Sequence, residues 1–151
     1  MLDIEEFKKK LDKKSRLMGI DPGKKRIGIA VSDENKMVAT PYKTLLKDDY
    51  PTFIKEVKKI IHENSIKGVI IGNPINMDGS PSASSQSAKD LAINISKNIS
   101  LPITMWDERL SSEGSFKITK VLGTSVSNRV SKLDENAAAF ILQGAIDYLS
   151  N

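Results

Sequence analysis

The apolar positions of the chain change period along its length, and the change divides it into elements. Leu17-Met18-Gly19-Ile20 and Ile27-Gly28-Ile29-Ala30-Val31 are short apolar runs separated by Asp21-Pro22-Gly23-Lys24-Lys25, which has the composition of a turn. Asp33 to Lys36 is a second polar turn, and Met37 to Thr40 is read as a third strand. Connections this short require antiparallel neighbours. After Pro51 the spacing becomes helical, with Phe53, Val57, Ile60 and Ile61 on one face. Gly68 to Gly72 is a continuous apolar run, as in a strand covered on both faces. A loop of small polar residues follows from Asn73 to Ser84. Ser85 to Asn98 returns to helical spacing, with Ala88, Leu91, Ala92 and Ile95 inward. Ile103 to Trp106 is the next strand and runs into Asp107-Glu108-Arg109. Ser111 or Ser112 could cap a helix reaching about Val121. Leu122 to Lys132 has loop composition, and a last helix spans Leu133 to Leu149. The strand-helix-strand order of the second half implies parallel pairing. The expected fold is α/β, a mixed sheet of about five strands flanked by helices.

Residues 1–15 stand outside this pattern. Ile4, Phe7 and Leu11 have helical spacing among Lys8, Lys9, Lys10, Lys13 and Lys14. They read as a helical extension with one apolar stripe and a solvated face, in preference to a dedicated RNA-binding arm. Residues 16–151 then form the single main domain, which suits a chain of 151 residues.

Composition narrows the chemistry. With no cysteine, disulfides and thiolate metal sites are excluded. No apolar run approaches the ~20 residues of a membrane span, and the N-terminus lacks a signal-peptide core, so a cytoplasmic location is expected, with no membrane partner. A net charge of +4 favours polyanionic partners. Aromatic residues are only 5%, which argues against a single-strand binder built on stacked bases. The only histidine, His62, falls on a helix remote from the acids and reads as structural or exposed.

Three acidic positions are candidates for chemistry. Asp21 ends an apolar strand, where open α/β sheets place their ligands; a turn-initiating Asp is the plain alternative. Asp107 and Glu108 end another strand, and alternation lets at most one of them face the same site. Their plain alternative is a surface pair bridged to Arg109. Asp134 falls near the middle of the apolar face formed by Ala137, Ala138, Ile141, Leu142, Ala145 and Ile146. A capping box over Ser131 to Asp134 would account for it, and so would a cation shared with the other acids. Converging acids repel without a cation, and with Mg²⁺ or Mn²⁺ they become hard oxygen ligands suited to phosphodiester hydrolysis.

Gly19-Ile20-Asp21-Pro22-Gly23 with Arg26 to Asp33 resembles the opening motif of the YqgF family, also called RuvX. Asn76 to Ser80, Asp107 to Ser112, and Arg129 with Asp134, Ala137-Ala138 and Ile141-Leu142-Gln143 resemble its three later motifs, in order, across Leu17 to Leu149. Lys24 and Asn73 depart from the usual threonine and leucine. The resemblance implies a ribonuclease-H-like fold related to Holliday-junction resolvases. It also implies a metal-dependent endonuclease that matures the 5′ end of pre-16S rRNA in ribosome biogenesis. By position it implies Asp21, Glu108 and Asp134 as catalytic and metal-binding acids, with Asp107 an alternative ligand to Glu108. Arg26, Arg109 and Arg129 are the implied nucleic-acid contacts, and Lys24, a departure from the family, is a candidate for an added phosphate contact. Partners would be precursor rRNA or branched DNA and a pre-ribosomal particle, with the chain a monomer or weak homodimer. Two rivals stand beside this reading. An actin-like phosphotransferase would need two such lobes, and a noncatalytic ribosome-assembly factor would need the basic surface but not the acids.

Overall fold

The computed structural model describes residues 1–76, 78–82, 84–110 and 133–150, the side chains of Leu133 and Asp134 excepted. The helix expected after Ser111 or Ser112, the Leu122 to Lys132 loop and Arg129 lie outside the described residues. The elements are α1 (Ile4–Lys10), β1 (Arg16–Asp21), β2 (Arg26–Ser32), β3 (Ala39–Leu46), α2 (Tyr50–Glu63), β4 (Ile66–Asn73), α3 (Ser85–Asn98), β5 (Ile103–Asp107), a 3₁₀ turn (Glu108–Leu110) and α4 (Leu133–Leu149).

The five strands form one sheet in the order β3-β2-β1-β4-β5. The two hairpins are antiparallel, and β4 pairs in parallel with both β1 and β5. The connection lengths therefore predict the pairing sense correctly throughout. The third strand differs from expectation: it runs from Ala39 to Leu46 rather than Met37 to Thr40. Pro41 does not end it, because β3 is an edge strand, where a missing N–H costs little, and the register shifts beside its partner Ala30.

Each face of the sheet carries its own core. Met18, Ile20, Ile27, Ile29, Val69 and Ile71 pack under α2 and α3. On the opposite face Leu17, Ala30, Ile70 and Trp106 pack against α4 and Phe7 of α1. The helix α1 is shorter than the helical extension expected over residues 1–15. It is capped by Asp3, whose carboxylate accepts the Glu6 N–H at 2.8 Å. Phe7 is fully buried, so the segment is anchored on the sheet. Among the described residues no helix is long and apolar enough to cross a membrane.

Helix α4 lies unusually close to the sheet because β1 and β4 offer it glycines. A Cβ on Gly19 would sit 2.6 Å from the Leu142 Cβ and 3.1 Å from the Ala138 carbonyl oxygen. Neither atom is the free end of a flexible chain, so Gly19→Ala must push the helix outward. We expect a loss of about 1–3 kcal/mol of stability, the usual cost of overpacking, measured by chemical denaturation. Stability at the wild-type level would mean that the helix yields without cost. Gln143 fixes the same helix laterally. Its buried amide accepts the Ala39 N–H at 2.8 Å and donates to the Met37 carbonyl and the Asp147 carboxylate at 3.0 and 2.9 Å.

Candidate functional site

The C-terminal ends of β1, β4 and β5 meet the first half of α4 at one end of the sheet. Asp21 is the last residue of β1 and pairs across to Gly28. Ile20 pairs with Ile71, which puts Asp21 beside Gly72 on the central pair of strands. Strand alternation, with Leu17 and Gly19 under α4, sends Asp21 to the α4 face.

Glu108 arrives on that face from the other side. Trp106 packs in the α4 core, and Glu108 follows two residues later. Its carboxylate lies over Gly72: a Cβ there would be 3.1 Å from Glu108 Oε1 and 2.6 Å from Ile141 Cδ1. Gly72 is thus the floor between the two acids. It is a site residue that the sequence reading treated only as the end of an apolar run.

The electrostatics follow from this arrangement. Burial, and then the negative charges of Asp21 and Asp107, push the Glu108 carboxyl up to about 7 from its ordinary 4.5. The protonated form is therefore favoured in the fold relative to the unfolded chain. In the metal-free protein that contribution to stability is present below about pH 4.5 and lost as pH rises through about 7. Glu108→Gln should remove this dependence. Urea midpoints measured in chelator at pH 4.5 and at pH 8 should fall further for wild type than for the variant. Equal falls would show that Glu108 does not carry the strain.

Asp107 is engaged differently. It accepts from Arg109 Nη2 at 2.6 Å and from Nε at 3.0 and 3.1 Å, and its Oδ1 also caps the Arg109 N–H at 3.0 Å. The pair is half-buried, and hydrogen bonding to Arg109 holds the Asp107 carboxyl below its usual range despite some desolvation. The bridged pair is the arrangement that the sequence left open for Asp107. Asp78, given no role of its own within the Asn76 to Ser80 motif, also acts on the Arg109 charge from the loop between β4 and α3. Its described residues are tied together: Ile75 bridges Pro81, and Asp78 accepts the Ser80 N–H and hydroxyl at 2.9 and 2.6 Å. The signal for this was Asn76 to Ser80, whose Gly79 takes a φ of 91° at the turn and lies beside Arg109.

Asn73 pairs with Asp107 and accepts from the Ser85 hydroxyl at 3.2 Å at the start of α3. By alternation it belongs to the α2–α3 face, away from Asp21 and Glu108. Lys24 and Arg26 are exposed on and beside the β1–β2 turn. Arg26 is two residues from Gly28 on β2, so both share the Asp21 face. In this turn a Gly23 side chain would collide with the Arg26 carbonyl. His62 is exposed near the end of α2, remote from the acids, as the sequence suggested. The backbone of α4 begins at Leu133, so Asp134 stands one turn before Ala138. Its side chain lies outside the described residues, and among those residues no group of three or more His, Cys, Asp or Glu is placed to hold a metal.

Relatives agree with the architecture. The chain matches the RuvX sequence family, described as Holliday junction resolvase, over residues 15–148. A Pelagibacter ubique (strain HTCC1062) protein named "Putative pre-16S rRNA nuclease" is 53% identical over the full length of both chains. A relative of the same name from Ruegeria pomeroyi (strain ATCC 700808 / DSM 15171 / DSS-3) is 40% identical over 148 residues, 98% of this chain and 96% of that one. Among solved structures, T. thermophilus RuvC in complex with Holliday junction substrate superposes with a TM-score of 0.61 over 91% of this chain and 96% of that chain, at 13% identity. Fowlpox virus resolvase does so with a TM-score of 0.51 over 89% of this chain and 97% of its own, at 14% identity. At such identities these two likenesses establish the fold, which is ribonuclease-H-like. On the strength of the family match and full-length relatives at this identity, the chain belongs to the RuvX family.

Proposed function

We propose that this protein is a metal-dependent endonuclease that hydrolyses phosphodiester bonds of precursor rRNA, maturing the 5′ end of pre-16S rRNA in the cytoplasm. The observation that carries the reading is the Glu108 carboxylate lying half-buried over Gly72, pushed up by that burial and then by the charges of Asp21 and Asp107. Two acids held together in this way are costly alone and fit a hard divalent cation such as Mg²⁺ or Mn²⁺. Asp21 and Glu108 would hold it, and Asp134, one turn before Ala138 on Gly19 and two turns before Ile141 on Gly72, would complete the set. Bound there, such a cation supplies activation of water and stabilisation of charge on phosphate.

The protein's own contribution is position. Gly19 and Gly72 let α4 approach, which brings its first turn toward the ends of β1 and β5. We assign the ligand role to Glu108 rather than Asp107, because Asp107 is occupied by Arg109. Lys24, Arg26 and Arg129 would bind phosphates along the rim. Arg109, engaged by Asp107, would position the loop that carries Asp78 and reach phosphate from there. The full-length relatives named for pre-16S rRNA favour RNA as substrate. The family description favours a second reading, cleavage of a four-way DNA junction.

Cleavage of precursor 16S rRNA and of a four-way junction, side by side with and without Mg²⁺ or Mn²⁺, separates the two. Metal-dependent cutting of the RNA with an intact junction supports the first reading. The reverse supports the second, and no cutting of either would sink both.

A further inference from the structure

The net positive charge of this protein is uneven along the chain. Residues 8–16 hold six cations (Lys8, Lys9, Lys10, Lys13, Lys14 and Arg16) and one anion, Asp12, for a sum of +5. The whole chain sums to +4, so all the other residues together come to −1. The other 17 cations are offset by 18 anions, Asp3, Glu5 and Glu6 just before the segment among them, so the net excess lies in these nine residues. All six cations are exposed.

The segment is also held in place. Phe7, Leu11 and Ser15 recur every fourth residue on its inner side. Phe7 and Ser15 are buried at 0% and 1% exposure, and Leu11 is half-buried. Phe7 and Leu11 close over Gly68, where a Cβ would lie 2.9 and 3.1 Å from their side chains. The Ser15 N–H donates to the Glu34 carbonyl at 2.9 Å, and its hydroxyl donates to the Asp12 carbonyl at 3.1 Å. The Lys36 ammonium reaches across from the β2–β3 turn and donates to the carbonyls of Asp12 and Lys13 at 3.1 and 2.9 Å. Lys14 approaches Glu34 at 4.0 Å with both side chains largely exposed, a weak pairing. A flexible tail would lose entropy on gripping a polyanion, whereas a docked ridge has already lost most of it.

We propose that residues 8–16 form a second RNA-contact surface, a basic ridge at the pole opposite the acids that grips the substrate backbone away from the bond to be cut. This deepens the reading of an RNA substrate and rests on it. The position follows from β1, which starts at Arg16 on the ridge and ends at Asp21 in the site. Five strand steps separate them by roughly 17 Å. An RNA must therefore extend beyond the site to touch both, and the ridge selects for long or structured substrates rather than for sequence. Its contacts are charge on phosphate, which carries no base information.

The test replaces Lys9, Lys10, Lys13 and Lys14 together by Gln. Affinity is measured in chelator for a long single-stranded RNA and for an oligomer too short to span roughly 17 Å. For the long RNA we expect a loss of about tenfold or more at physiological salt. The slope of log affinity against log salt should shrink by roughly 2 to 3, near 0.7 for each lost single-strand contact. The short oligomer should bind as before, and the fourfold Lys→Arg variant should bind long RNA like wild type. The replaced side chains are exposed, so thermal unfolding should not move; were it to move, Lys9→Gln/Lys13→Gln supplies the same comparison at half the slope. Unchanged affinity and slope for long RNA would overturn the proposal. So would equal weakening on both RNAs, or loss of binding to phosphatidylserine vesicles with RNA binding intact. Because binding is read without metal, a failure of the nuclease reading shows separately, as absent cleavage by a protein that still grips RNA through the ridge.

Discussion

Asp21→Asn is expected to give a folded protein that binds RNA and cuts it slower by orders of magnitude. Asn keeps the size of Asp and removes an anionic ligand from the point where water and phosphate would be activated. Binding should hold or tighten slightly, since an anion leaves the phosphate path. Stability in chelator should rise, because the charge of Asp21 is the largest electrostatic burden on Glu108 after burial. Cleavage, RNA affinity at fixed salt and thermal unfolding of the purified pair check all three. Full cleavage by the folded variant would remove Asp21 from the mechanism. RNA binding without cutting by either protein, across metals and substrates, would favour a noncatalytic assembly factor.

The second large effect separates two neighbouring acids. Glu108→Gln should lower metal-dependent cleavage about as far as Asp21→Asn, because Glu108 shares the α4 face with Asp21 across Gly72. Asp107→Asn should cost much less. Its carboxylate is bound to Arg109, so the variant loosens that arginine and the loop beside it. Outer residues of this kind typically cost 10–100-fold in related settings. A greater loss for Asp107→Asn than for Glu108→Gln, in cleavage rates at saturating metal, would reverse the assignment.

The sheet was readable because connection length constrains pairing. The turns at 22–25 and 33–38 force antiparallel neighbours, and the helices before β4 and β5 allow parallel ones. The α3 boundaries were equally legible, and so was most of the α4 stripe: Ala138, Ile141, Leu142, Ala145 and Ile146 are buried, whereas Ala137 is only half-buried and Asn136, Ala139 and Gln143 are buried outside the expected stripe. Two local features were not. Pro41 masks a strand whose tolerance for proline depends on being at the sheet edge. The burial of Phe7 depends on Gly68 and Leu17, which lie far along the chain or across the sheet.

At the site, the sequence supplied the residues but not the choice between Asp107 and Glu108. Alternation says that only one faces Asp21, and the phase is set by Trp106 packing under α4. The role of Gly72 was hidden for a similar reason: a glycine ending a strand reads as a terminus until Glu108 and Ile141 are seen above it. Asn73 stood out as a departure from the usual leucine. In the fold it pairs with Asp107 and bonds Ser85, on the face away from Asp21 and Glu108.

On the proposed reading Asp21, Glu108 and Asp134 share one cation-binding point. Anomalous diffraction from crystals grown with Mn²⁺ tests it directly. The account predicts a peak within about 2.0–2.6 Å of oxygens from Asp21 and Glu108, the range of hard-cation ligands, with Asp134 directly or through water in its shell. A peak seated only on Asp107 or Asp78, or Asp134 turned away from a metal bound by the other two, would contradict it.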